Sequence, residues 1–292
     1  MHPSWNPATS KIRILEYPRD VIKYMKQNAA PKQLLNLMQC SKRFCHKVFP
    51  YLPVRYLTTR DAKEVKWRMQ KLDNSWIRGT NCDEIPNGLW ITGKFILVDI
   101  PNLLPQILPK VAVSELKVLA LWHQEIFCDD LVKLLPHGNV KSIHLNFSSV
   151  KYGNGDVVTL DKMLEILTNI PLISYWHELP PFSVEAAEDL SKVDVSPKLF
   201  EISVAAHKEE FDFGLYKMFI ELNRQILFDT LFVDDDLEDD FIEKLEHLNA
   251  IELGNDLNEY APNIFRYLGM PEETRAALEA LHAEYRKLHN TE

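Results

Sequence analysis

The chain has 292 residues, of which 46% are hydrophobic and 26% charged, a composition typical of globular proteins with one large core or two small ones. The sequence shows no signal-peptide pattern and no run of about 20 apolar residues, so we expect a cytoplasmic or nuclear protein without membrane association. The net charge of -9 divides into a basic region, residues 1–100, and an acidic region, residues 101–292; no nucleic-acid-binding motif accompanies the basic residues, so we expect no nucleic-acid partner.

The first residues predict a leader followed by short helices. Residues 1–14 have little apolar pattern and are expected to form a flexible leader. From Tyr17 the pattern is helical, since Pro18 suits a first helical turn and Asp20 favours a helix N-terminus. Pro31 interrupts this helix, and a second apolar helix is predicted to follow it.

Composition and proline positions divide the chain into four parts. After the leader, residues 15–60 are predicted to form a helical module. Residues 61–90 are expected to be a linker, in which 61–72 could form one more helix. Residues 91–292 are expected to form the second, larger domain.

Beyond residue 90, a short apolar motif recurs at intervals of 20 to 30 residues. Apolar residues occupy its first, fourth and sixth positions, and amphipathic segments with helical periodicity separate the copies. The fourth positions are Leu119, Ile143, Ile173, Ile202, Leu231 and Ile251, with a weaker copy near Leu97. One strand and one helix in each repeat are typical of a leucine-rich-repeat-like solenoid. The asparagine that regular repeats carry three positions after the last strand leucine is absent, so the repeats are irregular.

These patterns predict an α/β fold in which a helical module precedes an irregular leucine-rich-repeat-like βα solenoid. A doubly wound parallel sheet is the alternative architecture, but no glycine-rich phosphate loop follows any strand. The segment from Met270 to His289 predicts a closing helix that starts at Pro271 and covers the open end of the stack.

Cys40, Cys45 and His46 look like a metal or haem site. Haem attachment needs two residues between the cysteines, and here there are four; zinc needs a second pair of ligands, and Cys82 and Cys128 stand alone far along the chain. We therefore expect Cys40 to be a small buried hydrophobe on its helix, and no metal or other cofactor.

Two motifs frame the helical module. Tyr17-Pro18-Arg19-Asp20-Val21 matches the opening of the F-box, Leu-Pro-x-Glu-Ile, and Cys40-Ser41-Lys42-Arg43-Phe44 matches its closing helix. Residues 15–52 therefore resemble an F-box, and with the repeats that follow the chain resembles the large nematode F-box families. The resemblance implies that this module binds the Skp adaptor, and through it the cullin scaffold, of a ubiquitin ligase, while the repeats hold a target protein.

The helical pair carries more apolar side chains than it can bury, so we expect a partner to cover them. The predicted adaptor-binding residues are Tyr17, Pro18, Val21, Ile22, Met25, Leu34, Leu35, Met38 and Phe44. Alternatively, these residues dock on the repeats as an N-terminal cap.

Strand alternation predicts two columns of residues that face away from the solenoid core. One runs through Ala120, His144, Ser174, Ser203, Phe232 and Glu252, and the other through Trp122, Asn146, Trp176, Ala205, Asp234 and Gly254. Because exposed aromatic side chains beside polar ones are common binding anchors, we predict a target-binding set of Trp122, His144, Asn146, Trp176, Phe232 and Asp234. Alternatively, Trp122 and Trp176 pack under loops as part of the core.

Other motifs do not indicate an enzyme. The acidic run 233–241 lacks the glycine and glutamate of an EF-hand, and Asp239 and Asp240 are instead expected at a helix N-terminus. No phosphate-binding or nucleophile motif is present, and Gly153 and Gly155 are expected in a turn. The leading hypothesis is therefore a non-catalytic substrate receptor; the alternative is a repeat scaffold that binds a protein without ubiquitination.

Overall fold

The computed structural model describes two compact units, Met1–Leu52 and Pro53–Glu292. The residues it describes are 18–28, 33, 36–37, 51–62, 65–98, 100–135, 139–176, 180–208, 212–255, 257 and 259–289. In the first unit, helix α1 spans Arg19–Asn28 and has Asp20 in its first turn, which confirms the first predicted helix.

Antiparallel strands open the second unit. Strand β1 spans Leu52–Ala62, β2 spans Val65–Lys71 and β3 spans Trp76–Gly79; β2 pairs antiparallel with both of its neighbours. The helix predicted over 61–72 is therefore wrong, and the expected linker over 61–90 holds strands and a 3-10 turn instead. The cause is a period of two in the sequence, since Trp67 and Met69 are buried and the intervening Arg68 is exposed.

A large, mostly parallel sheet dominates the second unit. Its parallel strands are β4 (Leu89–Leu97), β5 (Val111–Ser114), β6 (Val118–Trp122), β8 (Ser142–Asn146), β10 (Leu172–Trp176), β11 (Glu201–Ala206), β12 (Leu227–Phe232) and β13 (Ile264–Tyr267). Two further strands, β7 (Glu125–Phe127) and β9 (Ser149–Lys151), pair with each other. The spatial order β4-β6-β8-β10-β11-β12-β13 follows the chain without the reversal that a doubly wound sheet requires.

Helices connect successive parallel strands. They are α2 (Leu104–Ile107), α3 (Cys128–Leu134), α4 (Leu160–Ile166), α5 (Val184–Glu188), α6 (Phe213–Leu222) and α7 (Asp239–Glu252), followed by the terminal α8 (Glu272–Leu288). The core lies on one face of the sheet, where laterally paired residues such as Leu119, Ile143 and Ile173 are buried. Asp239 and Asp240 lie in the first turn of α7, as predicted.

The last predicted copy of the motif is in the wrong position. Leu248, Ile251 and Leu253 do not form a strand, because α7 extends through Glu252, so Glu252 and Gly254 do not belong to the predicted columns. The last strand is β13, which the sequence template missed.

The fifth copy of the motif has the wrong phase. In the structure Asp229 pairs in register with Ser203, which turns Phe228, Thr230 and Phe232 toward the core. Leu231 therefore lies on the opposite face from the fourth-position residues of the other copies.

The predicted closing helix is confirmed as α8, which begins after Pro271 and carries acidic residues in its first turn, but it packs on a face of the sheet and not across the open end of the stack. Its buried face packs on the second face of the sheet near the start of β11 and β12. The Tyr285 ring stacks on Phe200 with centroids 5.7 Å apart, and the Tyr285 hydroxyl donates to the Gln225 carbonyl at 3.2 Å. The remainder of this face carries the candidate site.

Candidate functional site

Two rows of laterally paired residues cross the second face of the sheet. The first row is Trp122, Asn146, Trp176, Ala205, Leu231 and Arg266. The second row is Ala120, His144, Ser174, Ser203 and Asp229. Because parallel strands in register place equivalent residues side by side, each row is continuous across the strands.

A groove of about 920 Å³ lies on this face, between the two rows and the segment that leads from β13 into α8. Its lining includes Trp122, His144, Asn146, Trp176 and Phe232, five of the six residues predicted to bind a target. The repeat pattern of the sequence thus locates one end of this groove. That these residues bind a target stays a prediction.

The aromatic end of the groove is formed by Trp122, Asn146 and Trp176. Trp176 is 43% exposed and Trp122 is half-buried, so the alternative that both indoles belong to the core does not hold for Trp176. Asn146 between them is only 9% exposed, and no residue that the structure describes donates a hydrogen bond to its buried Oδ1.

An aromatic rim follows the ends of β6 and β8. The rings of His123 and Phe147 stack with centroids 4.9 Å apart, and both residues have positive φ, 55° and 50°. The His123 N–H donates to the Asn146 carbonyl at 3.0 Å, and the Phe147 N–H donates to the Trp176 carbonyl at 2.7 Å. These bonds continue the backbone ladder beyond the strands and hold the three side chains of the aromatic end next to one another.

His144 lies on β8 two residues before Asn146, in the second row of the groove face. Burial lowers the pKa of His144 below its ordinary value, although the negative charge of Glu201 opposes this shift. His144 is therefore neutral at pH 7 and adds no positive charge to the groove.

The other end of the groove is charged. The Arg266 guanidinium donates through Nε and Nη2 to the two Asp229 oxygens, at 2.7 and 3.1 Å, and through Nη1 to Glu279 of α8 at 2.6 Å. The hydrogen bond from Arg266 holds the pKa of Glu279 below its usual range. A similar pair joins Arg286 of α8 to Glu201 at 2.9 Å, so ion pairs fasten α8 to the sheet.

Phe232 and Asp234 do not play the part that was predicted for them. The Phe232 ring borders the groove but is fully buried against Phe213 and Phe241, so it is not an exposed anchor. Asp234 accepts hydrogen bonds from His207 Nδ1 at 2.8 Å and the Lys208 N–H at 2.7 Å. Burial alone would raise the pKa of Asp234, but these bonds outweigh it and lower the pKa, which favours a structural carboxylate.

Sequence reasoning missed the charged end of the groove. Arg266 could not be found because β13 was not predicted, and the predicted columns omitted Asp229 because the fifth copy had the wrong phase. The sequence did contain one indication of a site here, because Asp229 is a charged residue within a mostly apolar, strand-like run.

Part of the predicted adaptor-binding set can be placed. Pro18 and Val21 are exposed, and Ile22 and Met25 are half-buried. The residues that lie outside the described part of the chain are Tyr17, Leu34, Leu35, Met38 and Phe44, together with Cys40 and Cys45. Tyr24, which the prediction omitted, is 67% exposed on α1.

No family model matches the chain, and no curated protein matches it. Within the described residues, no group of three or more His, Cys, Asp or Glu side chains is arranged to hold a metal ion. In the same part of the chain, no helix has the length and apolar character needed to cross a membrane.

Proposed function

We propose that this protein is a non-catalytic substrate-recognition subunit of an SCF-type cullin-RING ubiquitin ligase in the cytoplasm or nucleus. Residues 15–51, up to the start of β1 at Leu52, act as an F-box that binds the Skp adaptor, and the groove of the second unit binds the target protein. The second unit is an irregular leucine-rich-repeat-like solenoid in this proposal, which a strand order that follows the chain supports.

The exposed apolar surface of α1 carries the proposal. Val21 is 39% exposed and Tyr24 is 67% exposed, and Pro18 just before the helix is exposed as well. Apolar and aromatic side chains grouped on one exposed helix face are typical of a site that a second protein covers, because their burial is favourable. The resemblance of "YPRDV" to the F-box opening supports the Skp adaptor as that protein.

The second candidate is a repeat scaffold that binds a protein without ubiquitination. The groove of about 920 Å³ favours this function as much as the first, because a target can bind there without an adaptor. In the scaffold, the apolar residues of the N-terminal helices serve as a cap and do not bind an adaptor.

A capture experiment with the full chain and purified Skp adaptor separates the two functions. We expect the chain to capture the adaptor, and the double variant Val21→Glu, Met25→Glu to lose at least tenfold in affinity, because uncompensated carboxylates are costly in an apolar interface. Asn36→Glu, at an exposed position of the same unit, is the control and should bind normally. No capture, or equal capture by the double variant, would favour the scaffold.

A further inference from the structure

The spacing of the aromatic end suits a planar ligand group. Neighbouring strands lie about 4.8 Å apart, so the backbones that carry Trp122 and Trp176, two strands apart, are separated by about 10 Å. A planar group that contacts an indole on each face needs about 7 Å between the rings, two contacts of about 3.5 Å. The backbone separation exceeds this distance, so the strand spacing allows a planar group between the two side chains.

Asn146 provides the polar contact at the base of this slot. Its Oδ1 is buried and receives no hydrogen bond from the residues that the structure describes, in a side chain that is only 9% exposed. A buried acceptor without a donor costs about 1–3 kcal/mol, so a rotation of the Asn146 side chain that brings Oδ1 into contact with an N–H group between the indoles is favoured. The ligand group that pairs with Asn146 Oδ1 must therefore be a hydrogen-bond donor.

The charge of the groove indicates which kind of planar hydrogen-bond donor it would bind. Three carboxylates at this end are each paired with one guanidinium. The pairs are Asp229 with Arg266, Glu272 with Arg275, and Glu201 with Arg286. Among the residues that line the groove, the three carboxylates of Glu201, Asp229 and Asp235 outnumber the two guanidinium groups by one, and Glu279 beside Arg266 adds a further carboxylate next to the groove. His144 is neutral, and residues 101–292 as a whole carry 34 Asp and Glu against 16 Lys and Arg. An acidic groove of this kind attracts a cation and repels a phosphate.

We propose that the slot between Trp122 and Trp176 binds the guanidinium of an arginine in an extended, basic segment of the target protein, with Asn146 accepting a hydrogen bond from it. Guanidinium is planar, stays charged at neutral pH, stacks on indole faces and donates hydrogen bonds in its own plane. The inference rests on the proposed role of the groove as the target site, and it adds the chemical class of the target segment.

The test uses the full chain and short blocked peptides. The probe is acetyl-Gly-Ser-Leu-Arg-Leu-Ser-Gly-amide, and its counterparts replace arginine with lysine, citrulline or glutamate. Binding is measured by titration calorimetry or by NMR of the indole N–H groups. We expect the arginine peptide to bind at least tenfold more tightly than the citrulline peptide, which is planar but neutral, and more tightly than the lysine peptide, which is cationic but not planar. The glutamate peptide should not bind.

Variants test the slot itself. Trp176→Ala should weaken binding of the arginine peptide at least tenfold, and Trp176→Phe should restore part of the loss because a ring face remains. Asn146→Leu should reduce the preference for arginine over lysine. The matched control is Trp76→Ala, since Trp76 is 48% exposed on β3 and does not line the groove. Thermal unfolding of each variant shows that the fold is retained.

Several results would overturn the inference. Equal binding of the arginine and citrulline peptides excludes recognition of charge, and equal binding of the lysine peptide excludes a slot for a planar group. If Trp176→Ala binds the arginine peptide normally, or if Trp76→Ala loses as much affinity as Trp176→Ala, the peptide does not bind in this groove. The adaptor capture experiment is independent: if the adaptor does not bind while the arginine peptide does, the ligase function fails and the slot stands.

Discussion

Gln124 lies three residues after a strand leucine, the position at which the predicted leucine-rich repeat would carry asparagine. Its side chain is 2% exposed, and its Oε1 accepts hydrogen bonds from the N–H groups of Leu103 and Leu104 at 2.8 and 3.1 Å. Its Nε2 donates to the carbonyls of Ile100 and Trp122 at 2.7 and 2.8 Å. One amide therefore satisfies four backbone groups where the chain leaves the sheet.

Ser148 holds the equivalent position after the neighbouring strand β8. Its hydroxyl accepts from the Gln124 N–H at 3.0 Å and lies 3.0 Å from the Leu121 carbonyl, to which it donates. The absence of the asparagine is visible in the sequence, but these substitutes are not, because a glutamine or a serine in a loop is ordinary until the neighbouring repeat is placed beside it.

We expect Gln124→Ala to lower the free energy of unfolding by about 2–3 kcal/mol, because it leaves buried N–H and carbonyl groups without partners. Urea denaturation at pH 7 measures the change. Gln106→Ala is the control, since Gln106 is exposed, and it should change stability by no more than about 0.5 kcal/mol. If the two variants were equally stable, the bonds of Gln124 would contribute nothing.

At the scale of elements, the structure depends on how closely neighbouring strands approach. Strand β4 lies next to β1 in the sheet, and the Thr92 hydroxyl of β4 donates to the Val54 carbonyl of β1 at 3.1 Å. A Cβ at Gly93 would lie 2.3 Å from the Arg55 carbonyl oxygen. Glycine is therefore needed at this position so that β1 and β4 can pair.

We expect Gly93→Ala to destabilise the protein by about 2 kcal/mol, because the two strands must separate to accept the methyl group. Gly153→Ala is the matched substitution, since a methyl group there would have no atom within 4 Å beyond its chain neighbours. It should leave stability unchanged or raise it by about 0.4–1 kcal/mol through the unfolded chain. Thermal and urea unfolding measure the stability of both variants. A Gly93→Ala variant more stable than Gly153→Ala would contradict the expectation.

The repeating motif predicted β6, β8, β10 and β11 because their core-facing residues alternate with the same spacing. It failed at Leu248 and Ile251, since a spacing of three residues also fits a helix. Phe241, Leu245 and Asn249, each four residues apart, are the buried face of α7 and identify it as a helix. The same template placed Trp122, Asn146 and Trp176 together correctly, because equivalent positions of consecutive parallel strands become neighbours.

At the scale of the whole second unit, α8 divides the second face of the sheet into a covered part and an open groove. His282 lies in the covered part and is 2% exposed, and no described residue is a hydrogen-bond partner of its Nε2. Burial lowers the pKa of His282 to about 4, although Asp229 nearby opposes the shift. The packing of α8 therefore requires the neutral imidazole.

This burial predicts acid sensitivity. The unfolded chain binds a proton at His282 below its ordinary pKa of about 6.5, whereas the folded protein does not until about pH 4, so stability falls as the pH falls between these values. From pH 7 to pH 5 we expect a loss of about 2 kcal/mol that depends on His282.

Urea unfolding at both pH values measures this loss in the parent chain and in His282→Gln, which should show a smaller decrease. His247→Gln, at an exposed position, is the control and should retain the full decrease. The same pH dependence in all three proteins would show that His282 does not titrate on unfolding.

The sequence by itself determined the α/β class, most of the parallel strands, the helices α3 to α6 and α8, the first part of α7 and the aromatic end of the groove, because these follow from short-range periodicity that each segment carries alone. Only the tertiary structure decided the antiparallel start of the sheet, the position of β13 and the pairing of Arg266 with Asp229. These depend on contacts between residues far apart in the chain, here 37 positions, and a local pattern holds no information about which distant segment becomes its neighbour.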